Sequence, residues 1–462
     1  MDALPFDRAL QVKYDVQGPR YTSYPTAPHF STAFRAPEYA AAVAESNAEP
    51  LPRPLSLYIH VPFCESLCYY CACNKIITRH RHKAETYLTY LERELALQGA
   101  LFDDDRSVCQ LHLGGGTPTY FSDRQLWRLM QAIARGFPLA GGADREFSIE
   151  VDPRAVRPDT VAVLGELGFN RLSIGVQDFD PAVQKAVNRV QSIGQTRAVV
   201  EQARENGFSS VSLDLIYGLP RQSVESFGRT LDLVLEMRPD RLSVYNYAHL
   251  PERVRAQRLI RTEDLPAPGE KLSIFASVVD RLSAAGYRTI GMDHFALPDS
   301  DLAAAMDAGT LQRNFQGYST HAECDLIGVG VSAIGRIGES FGQNVTRLRP
   351  YYEALEQGRL PVERGFTLDF DDRLRAAVIN AIMCRTWVDF DAIAQRFEID
   401  FRGYFQPELE ALAPMQRDGL VTVQERGLRI HPRGRLLLRN VAMVFDRYLR
   451  VARAEVKYSR TI

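Results

Sequence analysis

The stretch PLSLYIHVPFCESLCYYCACN, residues 54–74, determines the first inference about the fold of this chain. Residues 54–61 alternate between apolar and polar side chains, and a period of two predicts a β-strand. The cysteines Cys64, Cys68, Cys71 and Cys73 follow directly after this strand. The first three have the spacing C-x3-C-x2-C, and three thiolates so close together suit a cubane iron–sulfur cluster. One iron of such a cluster has no protein ligand and is free to bind a cofactor.

Three other interpretations of the cysteine run remain open. A structural zinc site commonly takes four ligands from two C-x2-C pairs about fifteen residues apart, and no second pair follows here. Disulfides fit poorly with an odd total of seven cysteines in a large, charge-rich chain, a pattern that indicates a reducing compartment. Chance clustering of buried cysteines is the third interpretation, and four of seven in one short window count against it.

Length and composition indicate a large soluble protein. The chain has 462 residues, of which 45% are hydrophobic and 24% charged, so we expect two or three domains. Its net charge of −2 provides no basic field for nucleic acid. The N-terminal sequence lacks the pattern of a signal peptide, and no apolar stretch is long enough to cross a membrane. We therefore expect a cytoplasmic protein with no nucleic-acid or membrane partner.

Strand and helix patterns alternate through the first two thirds of the chain. Further period-two segments lie at residues 108–113, 146–151, 171–177, 210–216 and 241–247. Helical segments lie at residues 83–101, 123–136, 159–167, 194–206 and 223–237. Such alternation predicts an α/β fold with a parallel sheet. Because each strand has one polar face, we expect a curved sheet around a polar cavity. This is a partial (β/α)6 barrel, whose chemistry lies at the carboxyl ends of its strands.

The sequence pattern divides the chain into three predicted units. Residues 1–52 form an N-terminal arm that is rich in proline and mostly extended, with one short helix near residues 37–45. Residues 53–365 form the barrel domain, which includes a glycine-rich stretch at 328–342. Residues 366–462 form a C-terminal winged-helix-like unit over the substrate site. Its predicted elements are helices at 371–384, 389–397 and 409–418 and a hairpin of residues 420–424 and 427–431.

Several polar residues lie near the predicted carboxyl ends of the strands. Tyr58, Glu150, Gln177 and Asp214 lie on inward faces, where carboxylates and amides can bind ribose hydroxyls and an amino group. A polar barrel core is the alternative for each of them. Arg189 is either a partner for a carboxylate or an exposed helix arginine.

A glycine run, residues 114–116, follows the second strand and precedes Thr117. Glycines let a backbone approach a ligand closely, and a tight strand-to-helix turn is the alternative. The remaining cysteines, Cys109, Cys324 and Cys384, have no close partner in sequence. We expect each to be a small buried hydrophobe.

Longer motifs carry a resemblance to a known family. The cysteine spacing and GGGTP at residues 114–118 resemble the radical S-adenosylmethionine superfamily. Within it, the chain resembles the oxygen-independent coproporphyrinogen III oxidase family in GPRYTSYPTA (18–27), CNK (73–75), IEVDP (149–153), GVQD (175–178) and DLIYGLP (214–220). The resemblance extends over nearly the whole chain.

The resemblance implies a cofactor set and the residues that bind it. A [4Fe–4S] cluster would be held by Cys64, Cys68 and Cys71. Two S-adenosylmethionine molecules would bind in the cavity. The residues implied for the first are Tyr58, Gly115, Glu150 and Ile334. The residues implied for the second are Tyr70, Gly116, Thr117, Gln177, Arg189, Asp214 and Ala248. Tyr58 and Glu150 are also the candidate catalytic residues.

The implied activity is that of an oxidoreductase in haem biosynthesis. Two propionate side chains of coproporphyrinogen III would become vinyl groups, giving protoporphyrinogen IX, CO2, methionine and 5′-deoxyadenosine by a 5′-deoxyadenosyl radical mechanism. The propionate β-carbon has no acidity, so a cofactor must carry this chemistry. A one-electron donor such as a flavodoxin or ferredoxin and a monomeric state are further expectations.

Two other functions and two residue hypotheses accompany this prediction. A haem chaperone of the same superfamily is the first alternative, and such relatives usually lack the arm and the fourth cysteine. A nucleic-acid-binding C-terminal unit is the second, and its helices lack a dense basic face.

We expect Arg20 to bind a substrate propionate, because the arm can close over the cavity mouth. We expect Cys73 not to ligate iron, because it lies too close to Cys71 in sequence.

Overall fold

The computed structural model of the chain describes residues 6–142, 145–321, 324–451 and 458–461. A twelve-stranded sheet runs through this described part. Its strands are β1 (Leu55–Val61), β2 (Val108–Gly115), β3 (Glu146–Val151), β4 (Arg171–Gln177), β5 (Ser210–Tyr217), β6 (Arg241–Asn246), β7 (Arg288–Gly291), β8 (His294–Ala296), β9 (Asp325–Val329), β10 (Ile334–Ile337), β11 (Ser340–Asn344) and β12 (Val362–Thr367). Their spatial order is β12-β11-β10-β9-β1-β2-β3-β4-β5-β6-β8-β7.

The centre of the sheet consists of the six strands that alternation predicts. β1 to β6 lie side by side in chain order, and each neighbouring pair is parallel. Helices occupy the connections between these strands. The predicted α/β fold with a partial (β/α)6 barrel is confirmed. We call the edge formed by the carboxyl ends of β1 to β6 the rim, and the opposite edge the base.

The barrel helices begin at residues that cap their free amide groups. The hydroxyl of Ser122 accepts a hydrogen bond from the amide of Gln125, whose side chain accepts one from the amide of Ser122. Ser192 and Ser223 cap their helices in the same way. The predicted barrel helices agree with the structure to within two residues. They are His82–Gly99, Asp123–Gly136, Thr160–Glu166, Ile193–Glu205 and Val224–Met237, and a short helix at Pro181–Ala186 was not predicted.

The two faces of the barrel strands differ as the sequence pattern predicts. On the outer face, Leu57, Ile59 and Leu113 are fully buried in the main apolar core under the helices. On the inner face, polar side chains pair across strands: Ser173 donates a hydrogen bond to Asp214 at 2.9 Å. The inner face therefore carries polar side chains, and polar ligands can bind to such a surface.

The sequence pattern does not predict the four strands β9 to β12, which lie in and around the glycine-rich stretch. β9 pairs parallel with β1, opposite β2, and places Gly328 beside Tyr58. β10, β11 and β12 follow antiparallel. A Cβ on Gly328 would lie 2.7 Å from the carbonyl carbon of Ile334, so this strand pair needs glycine for its close approach. The glycines remove the alternating side chains that make a strand visible in sequence.

The other edge of the sheet turns antiparallel at β8 and β7, which follow β6. The described helices outside the five connections between β1 and β6 are Arg8–Tyr14, Ala36–Asn47, Pro268–Ala284, Asp301–Ala308, Leu348–Glu356, Phe370–Cys384, Phe390–Phe397, Phe401–Tyr404, Gln406–Ala411, Ala413–Arg417, Pro432–Arg435, Leu438–Val444 and Arg447–Val451. Among the helices that the structure describes, none combines the length and the apolar character required to cross a bilayer.

The arm is packed between the barrel and the C-terminal unit. Tyr21 and Tyr24 belong to the same apolar cluster as Phe405 and Phe445 of the C-terminal unit. Arg439 donates a hydrogen bond to the carbonyl of Pro19 at 3.0 Å. The arm also holds the helix Arg8–Tyr14, which was not predicted, beside the expected one at Ala36–Asn47. Its course is fixed by these contacts.

The C-terminal unit has the predicted helices and hairpin, with one correction. Val421–Val423 and Gly427–Ile430 form the hairpin, and Trp387–Asp389 adds a third strand. The predicted helix at residues 409–418 is wrong as a single element. The structure has two short helices there, Gln406–Ala411 and Ala413–Arg417. Pro414 explains the break, because proline lacks an amide donor and fits the first turn of a helix.

Candidate active site on the rim of the barrel

The cysteine loop extends from the carboxyl end of β1 and is closed by backbone pairing. Phe63–Cys64 forms a short parallel pair with Ile76–Ile77. The amide of Ile76 donates to the carbonyl of Pro62 at 2.7 Å. Within the loop, the amide of Cys71 donates to the carbonyl of Cys68 at 3.2 Å. The backbone therefore holds the three cysteines on the rim.

Cations surround the sulfur atoms of this loop. Cys68 Sγ lies 3.5 Å from Arg154 Nη2 and 3.6 Å from Arg189 Nη1. Lys75 Nζ donates to the carbonyl of Cys71 at 2.6 Å. Asp152 accepts from both arginines, at 2.7 Å from Arg154 and 3.0 Å from Arg189. A net positive environment of this kind stabilises thiolate charge on the loop.

The thiols differ in acidity for identifiable reasons. Burial raises the pKa of Cys64 to about 11, although a hydrogen bond from Thr117 works against this shift. A hydrogen bond from Cys73, together with Lys75, lowers the pKa of Cys71 to about 6. Cys73 is exposed, and it lies beside Cys71 rather than completing a fourth corner of the loop. The loop thus contains three cysteines, Cys64, Cys68 and Cys71, and a fourth, Cys73, that lies beside Cys71.

The spacing of the three thiols suits a cluster better than a single ion. The sulfur atoms of Cys64, Cys68 and Cys71 do not all lie within 4.8 Å of one another, as the ligands of one zinc ion would. A cubane cluster is larger than one ion and binds more widely separated thiolates. The donor set and its surrounding cations therefore fit a [4Fe–4S] cluster.

The glycine loop after β2 lies directly against the cysteine loop. The amide of Gly116 donates to the carbonyl of Val61 at 2.8 Å, and the amide of Thr117 donates to that of Phe63 at 2.9 Å. A Cβ on Gly116 would lie 2.7 Å from the Pro62 carbonyl carbon. Gly115 has a φ of +110°, which only glycine adopts readily. The glycines therefore allow two rim loops to pack backbone against backbone.

Glu150 connects this glycine loop to the inner face of the barrel. Its carboxylate accepts a hydrogen bond from the amide of Gly115 at 3.0 Å and lies 3.3 Å from His112 Nε2. The ring of Tyr58 stacks on that of His112 at 5.8 Å. Burial disfavours the charge of Glu150, but His112 and the amide of Gly115 outweigh it, so its pKa lies below the ordinary value. Glu150 is a charged acceptor beside the cysteine loop.

A second group of predicted residues lies further around the rim. Burial raises the pKa of Asp214 to about 6, against the hydrogen bond from Ser173. Gln177 ends β4 with a φ of +68°, an uncommon conformation for a residue other than glycine. Strained residues at strand ends often mark functional sites. Arg189 is buried and reaches Asp152, so the alternative of an exposed helix arginine is wrong.

Two further predicted site residues, Tyr70 and Ala248, are connected on this rim by Gln257, which the sequence analysis did not identify. The side-chain amide of Gln257, which is buried, donates to the carbonyl of Tyr70 at 3.0 Å and to that of Ala248 at 3.1 Å. Ile334 begins β10, next to Gly328, the register partner of Tyr58. The local sequence of Gln257 does not indicate that its side chain connects Tyr70 and Ala248, because Tyr70 is distant in the chain.

Asp152 and Arg154 were also missed. They follow β3 directly, in the sequence DPR, and the carboxylate of Asp152 accepts from the backbone amide of Arg154 at 3.0 Å. A charged pair immediately after a barrel strand is a signal that places both residues on the rim. Their contact with Cys68, however, depends on the fold.

An arginine-rich cavity lies next to this site, where the arm meets the carboxyl ends of β5 and β6. Arg20 forms an ion pair with Asp293, and its guanidinium lies over the Tyr245 ring at 5.6 Å. Arg439 lines the same cavity. Arg313 contacts the carbonyl of Arg20 at 3.3 Å, and its Nη1 atom is buried without a hydrogen-bond partner among the described residues. Arg20 and Arg439 therefore line the cavity together with Asp293, and Arg313 lies beside Arg20.

The fold and the rim site together define a radical SAM protein. The family model of the Radical SAM superfamily matches residues 58–234, and that of the HemN C-terminal domain matches residues 368–437. The chain is similar to the structure of coproporphyrinogen III oxidase (HemN) from Escherichia coli, which is a radical SAM enzyme. The TM-score is 0.92 at 48% identity, over 97% of this chain and 100% of that one.

Sequence relatives identify the family more narrowly. An oxygen-independent coproporphyrinogen III oxidase from Pseudomonas aeruginosa is 49% identical over 452 residues, which is 97% of each chain. The protein of that name from Escherichia coli K12 is 48% identical over 99% of each chain. This chain belongs to the oxygen-independent coproporphyrinogen III oxidase family. Membership of a radical SAM family implies a [4Fe–4S] cluster and S-adenosylmethionine as cofactors.

Proposed function

We propose that the chain catalyses the oxygen-independent oxidative decarboxylation of coproporphyrinogen III. Each of two propionate side chains loses one β-hydrogen atom, one electron and CO2, and becomes a vinyl group, so that the product is protoporphyrinogen IX. One observation carries the proposal: a cysteine loop and a glycine loop pack together on one rim. Beside them lie Glu150, Asp214 and an arginine-rich cavity.

Cys64, Cys68 and Cys71 are the residues that would hold the cluster. When bound, the cluster and S-adenosylmethionine supply the one-electron chemistry that removes a hydrogen atom from an unactivated C–H bond. The chain itself contributes positive charge: Arg154 and Arg189 direct N–H groups at Cys68 Sγ. Hydrogen bonds to cluster sulfurs favour the reduced state, because they stabilise the added negative charge.

The proposal includes two S-adenosylmethionine molecules. The first would contact Tyr58, Gly115, Glu150 and Ile334. The hydrogen bond from the amide of Gly115 to Glu150 supports this grouping, as does the stacking of Tyr58 on His112, which lies beside Glu150. There Glu150, as a charged acceptor, is suited to bind ribose hydroxyls. Tyr58 and Glu150 remain the candidate catalytic residues.

The second molecule would occupy the neighbouring part of the rim. Its proposed contacts are Tyr70, Gly116, Thr117, Gln177, Arg189, Asp214 and Ala248. Asp214 would accept hydrogen bonds from ribose or from an amino group. Gln257 fixes the backbone of Tyr70 and Ala248 on one side of this space.

The arginine-rich cavity is the proposed site for substrate carboxylates. A tetracarboxylate needs cations, and arginine binds carboxylates through paired N–H groups. Arg313 has a buried nitrogen that no described residue pairs with, whereas Arg20 is already paired with Asp293. A propionate bound at Arg20 must therefore share it with Asp293. The arm contributes Gln11 and Arg20 to the lining of this cavity, and the C-terminal unit contributes Leu436 and Arg439.

The electron donor and the assembly state belong to the proposal as well. A small redox protein, such as a flavodoxin or ferredoxin, would supply the electron at the exposed side of the cysteine loop. We propose that the chain acts as a monomer.

The decisive experiment is an anaerobic assay. The reconstituted protein is incubated with coproporphyrinogen III, a reductant and S-adenosylmethionine, and the products are separated by chromatography. We expect protoporphyrinogen IX, CO2 and 5′-deoxyadenosine, with more than one 5′-deoxyadenosine for each porphyrin completed. Haem or porphyrin that binds without turnover contradicts the proposal and favours the chaperone alternative.

A binding measurement separates the two cofactor sites. We expect two equivalents of S-adenosylmethionine per cluster-loaded chain. Glu150→Gln weakens the first and Asp214→Asn the second, each by roughly 10- to 100-fold, because a hydrogen bond to a charged group contributes about 1.5–3 kcal/mol. A single equivalent in the unmodified protein excludes the second site.

The substrate site is tested with arginine variants. We expect Arg20→Ala and Arg313→Gln to raise KM for coproporphyrinogen III more than they lower kcat. Arg426→Gln is a suitable control, because this arginine is exposed and pairs with Asp391 on the surface of the C-terminal unit. An unchanged KM in Arg20→Ala removes this residue from the substrate site.

A further inference from the structure

A second cluster of soft ligands lies at the base of the barrel, far from the rim cysteines in the strand direction. Cys109 Sγ is 3.3 Å from Cys324 Sγ and 3.8 Å from His321 Nδ1. All three donor atoms lie within 4.8 Å of one another. Cys109 and Cys324 are partly exposed, so the expectation that each is a buried small hydrophobe is wrong for these two. Cys384 is buried, as expected.

A β-bulge places Cys109 in this cluster. Leu55 of β1 pairs with Val108 of β2, but the next residue, Ser56, pairs with Gln110. Cys109 is therefore the extra residue of the bulge, and bulges re-aim side chains. Regular alternation would put Cys109 on the outer face with Leu111. Instead, its sulfur lies 3.7 Å from the carbonyl of Leu55, towards the other side of β1.

Cys324 approaches from that other side. It directly precedes β9, whose first residue, Asp325, pairs with Leu55 of β1. The first residue of β1 thus lies between the two cysteines. Neighbouring strands are about 4.7–4.9 Å apart, so backbones that flank a common strand are separated by roughly 9–10 Å. A disulfide requires Cα atoms about 4.4–6.8 Å apart. A metal ion, in contrast, bridges thiolates without drawing the backbones together.

We propose that Cys109, His321 and Cys324 form a binding site for a thiophilic divalent metal ion, with Zn²⁺ as the fitting occupant. Zinc binds thiolates at about 2.3 Å and imidazole nitrogen at about 2.0–2.1 Å, and the three donor atoms are close enough for one ion to reach all of them. Two thiolates and one imidazole leave the fourth tetrahedral position for water, which the partial exposure of the cluster permits. Binding releases the two thiol protons to solvent.

Polar groups beside the cluster support the segment that carries His321. The amide of His321 donates to Ser319 Oγ at 3.1 Å. Thr320 donates to Glu146 at 2.9 Å, and Glu146 also accepts from Gln110 at 3.2 Å. These bonds connect the histidine segment to β2 and β3. The ion would tie β9 to β2 across β1 at the base, where barrels carry stabilising rather than catalytic residues.

The test uses cluster-loaded protein, so that the rim cysteines are occupied by iron. Zinc and iron per chain are measured by elemental analysis after exposure to zinc and exchange against a weak chelator. We expect one zinc in the unmodified protein and in the control Cys384→Ala. Cys109→Ser, Cys324→Ser and His321→Ala should each lose this zinc and keep their iron. An equal zinc content in the double variant Cys109→Ser/Cys324→Ser overturns the proposal.

Two measurements on the unmodified protein do not depend on the folding of variants. Zinc X-ray absorption should give a shell of two sulfur neighbours with nitrogen or oxygen in the remaining positions, and a shell without sulfur contradicts the site. Peptide mass spectrometry of protein kept under anaerobic, reducing conditions should find Cys109 and Cys324 unlinked. A disulfide between them under these conditions overturns the metal proposal.

Discussion

The two cysteine groups of this protein, one on the rim and one at the base, are built in opposite ways. On the rim, Cys64, Cys68 and Cys71 lie within one loop that its own backbone closes. At the base, Cys109 and Cys324 are 215 positions apart and meet only because β1 lies between β2 and β9. The rim thiols spread widely enough for a cluster, whereas the base ligands converge on the space of one ion. The difference teaches that spacing in sequence identifies only local ligand sets.

The largest expected effect comes from removing a rim cysteine. In Cys68→Ser, we expect cluster iron and product formation to fall to background, because a cubane loses one of its three protein ligands. Iron analysis and the anaerobic product assay measure the two losses. Cys109→Ser is the matched change at the base, and we expect it to keep its iron. Iron loss in both variants breaks the distinction between the two groups.

Asp214→Asn should separate stability from function on the rim. Burial raises the pKa of Asp214 from 3.8 to about 6. The folded protein therefore binds this proton more tightly than the unfolded chain, and the charged form costs stability as the pH rises from about 4 to 6. At pH 7 we expect Asp214→Asn to raise the free energy of unfolding by about 1–3 kcal/mol, since one pKa unit corresponds to about 1.4 kcal/mol.

Two measurements check this expectation. Denaturant unfolding at pH 7 and at low pH should show a stability gain that disappears below pH 4 or so, where Asp214 is protonated in both states. In the unmodified enzyme, kcat/KM should fall as the pH drops through about 6, because protonation removes the charged acceptor. A variant that is neither more stable nor impaired in S-adenosylmethionine binding contradicts the role of Asp214.

Arg154→Gln should alter the rim cluster without removing it. Arg154 Nη2 lies 3.5 Å from Cys68 Sγ, and glutamine keeps a polar side chain but loses the charge. We expect a reduction potential lower by some tens of millivolts, because about 1 kcal/mol corresponds to roughly 40 mV for one electron. A spectroscopic redox titration measures the shift. Arg281→Gln, on an outer helix and paired with Asp232, serves as the control.

The smallest expected effect is that of Cys73→Ser on iron content. Cys73 is exposed beside Cys71, and three cysteines suffice for the cluster. We expect the iron per chain to equal that of the unmodified protein by elemental analysis. A loss of iron comparable to that in Cys68→Ser would show that the rim group has four ligands. The rim would then differ from the base group in the number of its ligands as well as in their spacing.

Much of the fold was predictable because its signals are local. Alternation over β3 and β4 gave their observed bounds, and serine caps mark where the barrel helices begin. Strands β9 to β12 were not predictable, since glycines such as Gly328 carry no side-chain pattern. The helix predicted at residues 409–418 failed because Pro414 outweighed its apolar periodicity.

The candidate site shows the same division. Glu150 and Asp214 were predicted to lie on the inner face from the period of their strands; in the structure Glu150 accepts from the amide of Gly115 and Asp214 from Ser173. The partnership of Asp152, Arg154 and Arg189 around Cys68 was not predicted. Arg189 is 37 positions from Asp152, and the two residues meet because β3 pairs with β4 in the sheet.

The sequence by itself determined the rim loop, the parallel barrel and the cofactor family. Each of these depends on residues a few positions apart, whose geometry follows from backbone periods and from a short loop. The tertiary structure alone decided the arginine cavity and the cluster of Cys109, His321 and Cys324. The physical reason is that side chains distant in the chain meet only when strand order, register and a bulge at Cys109 are fixed.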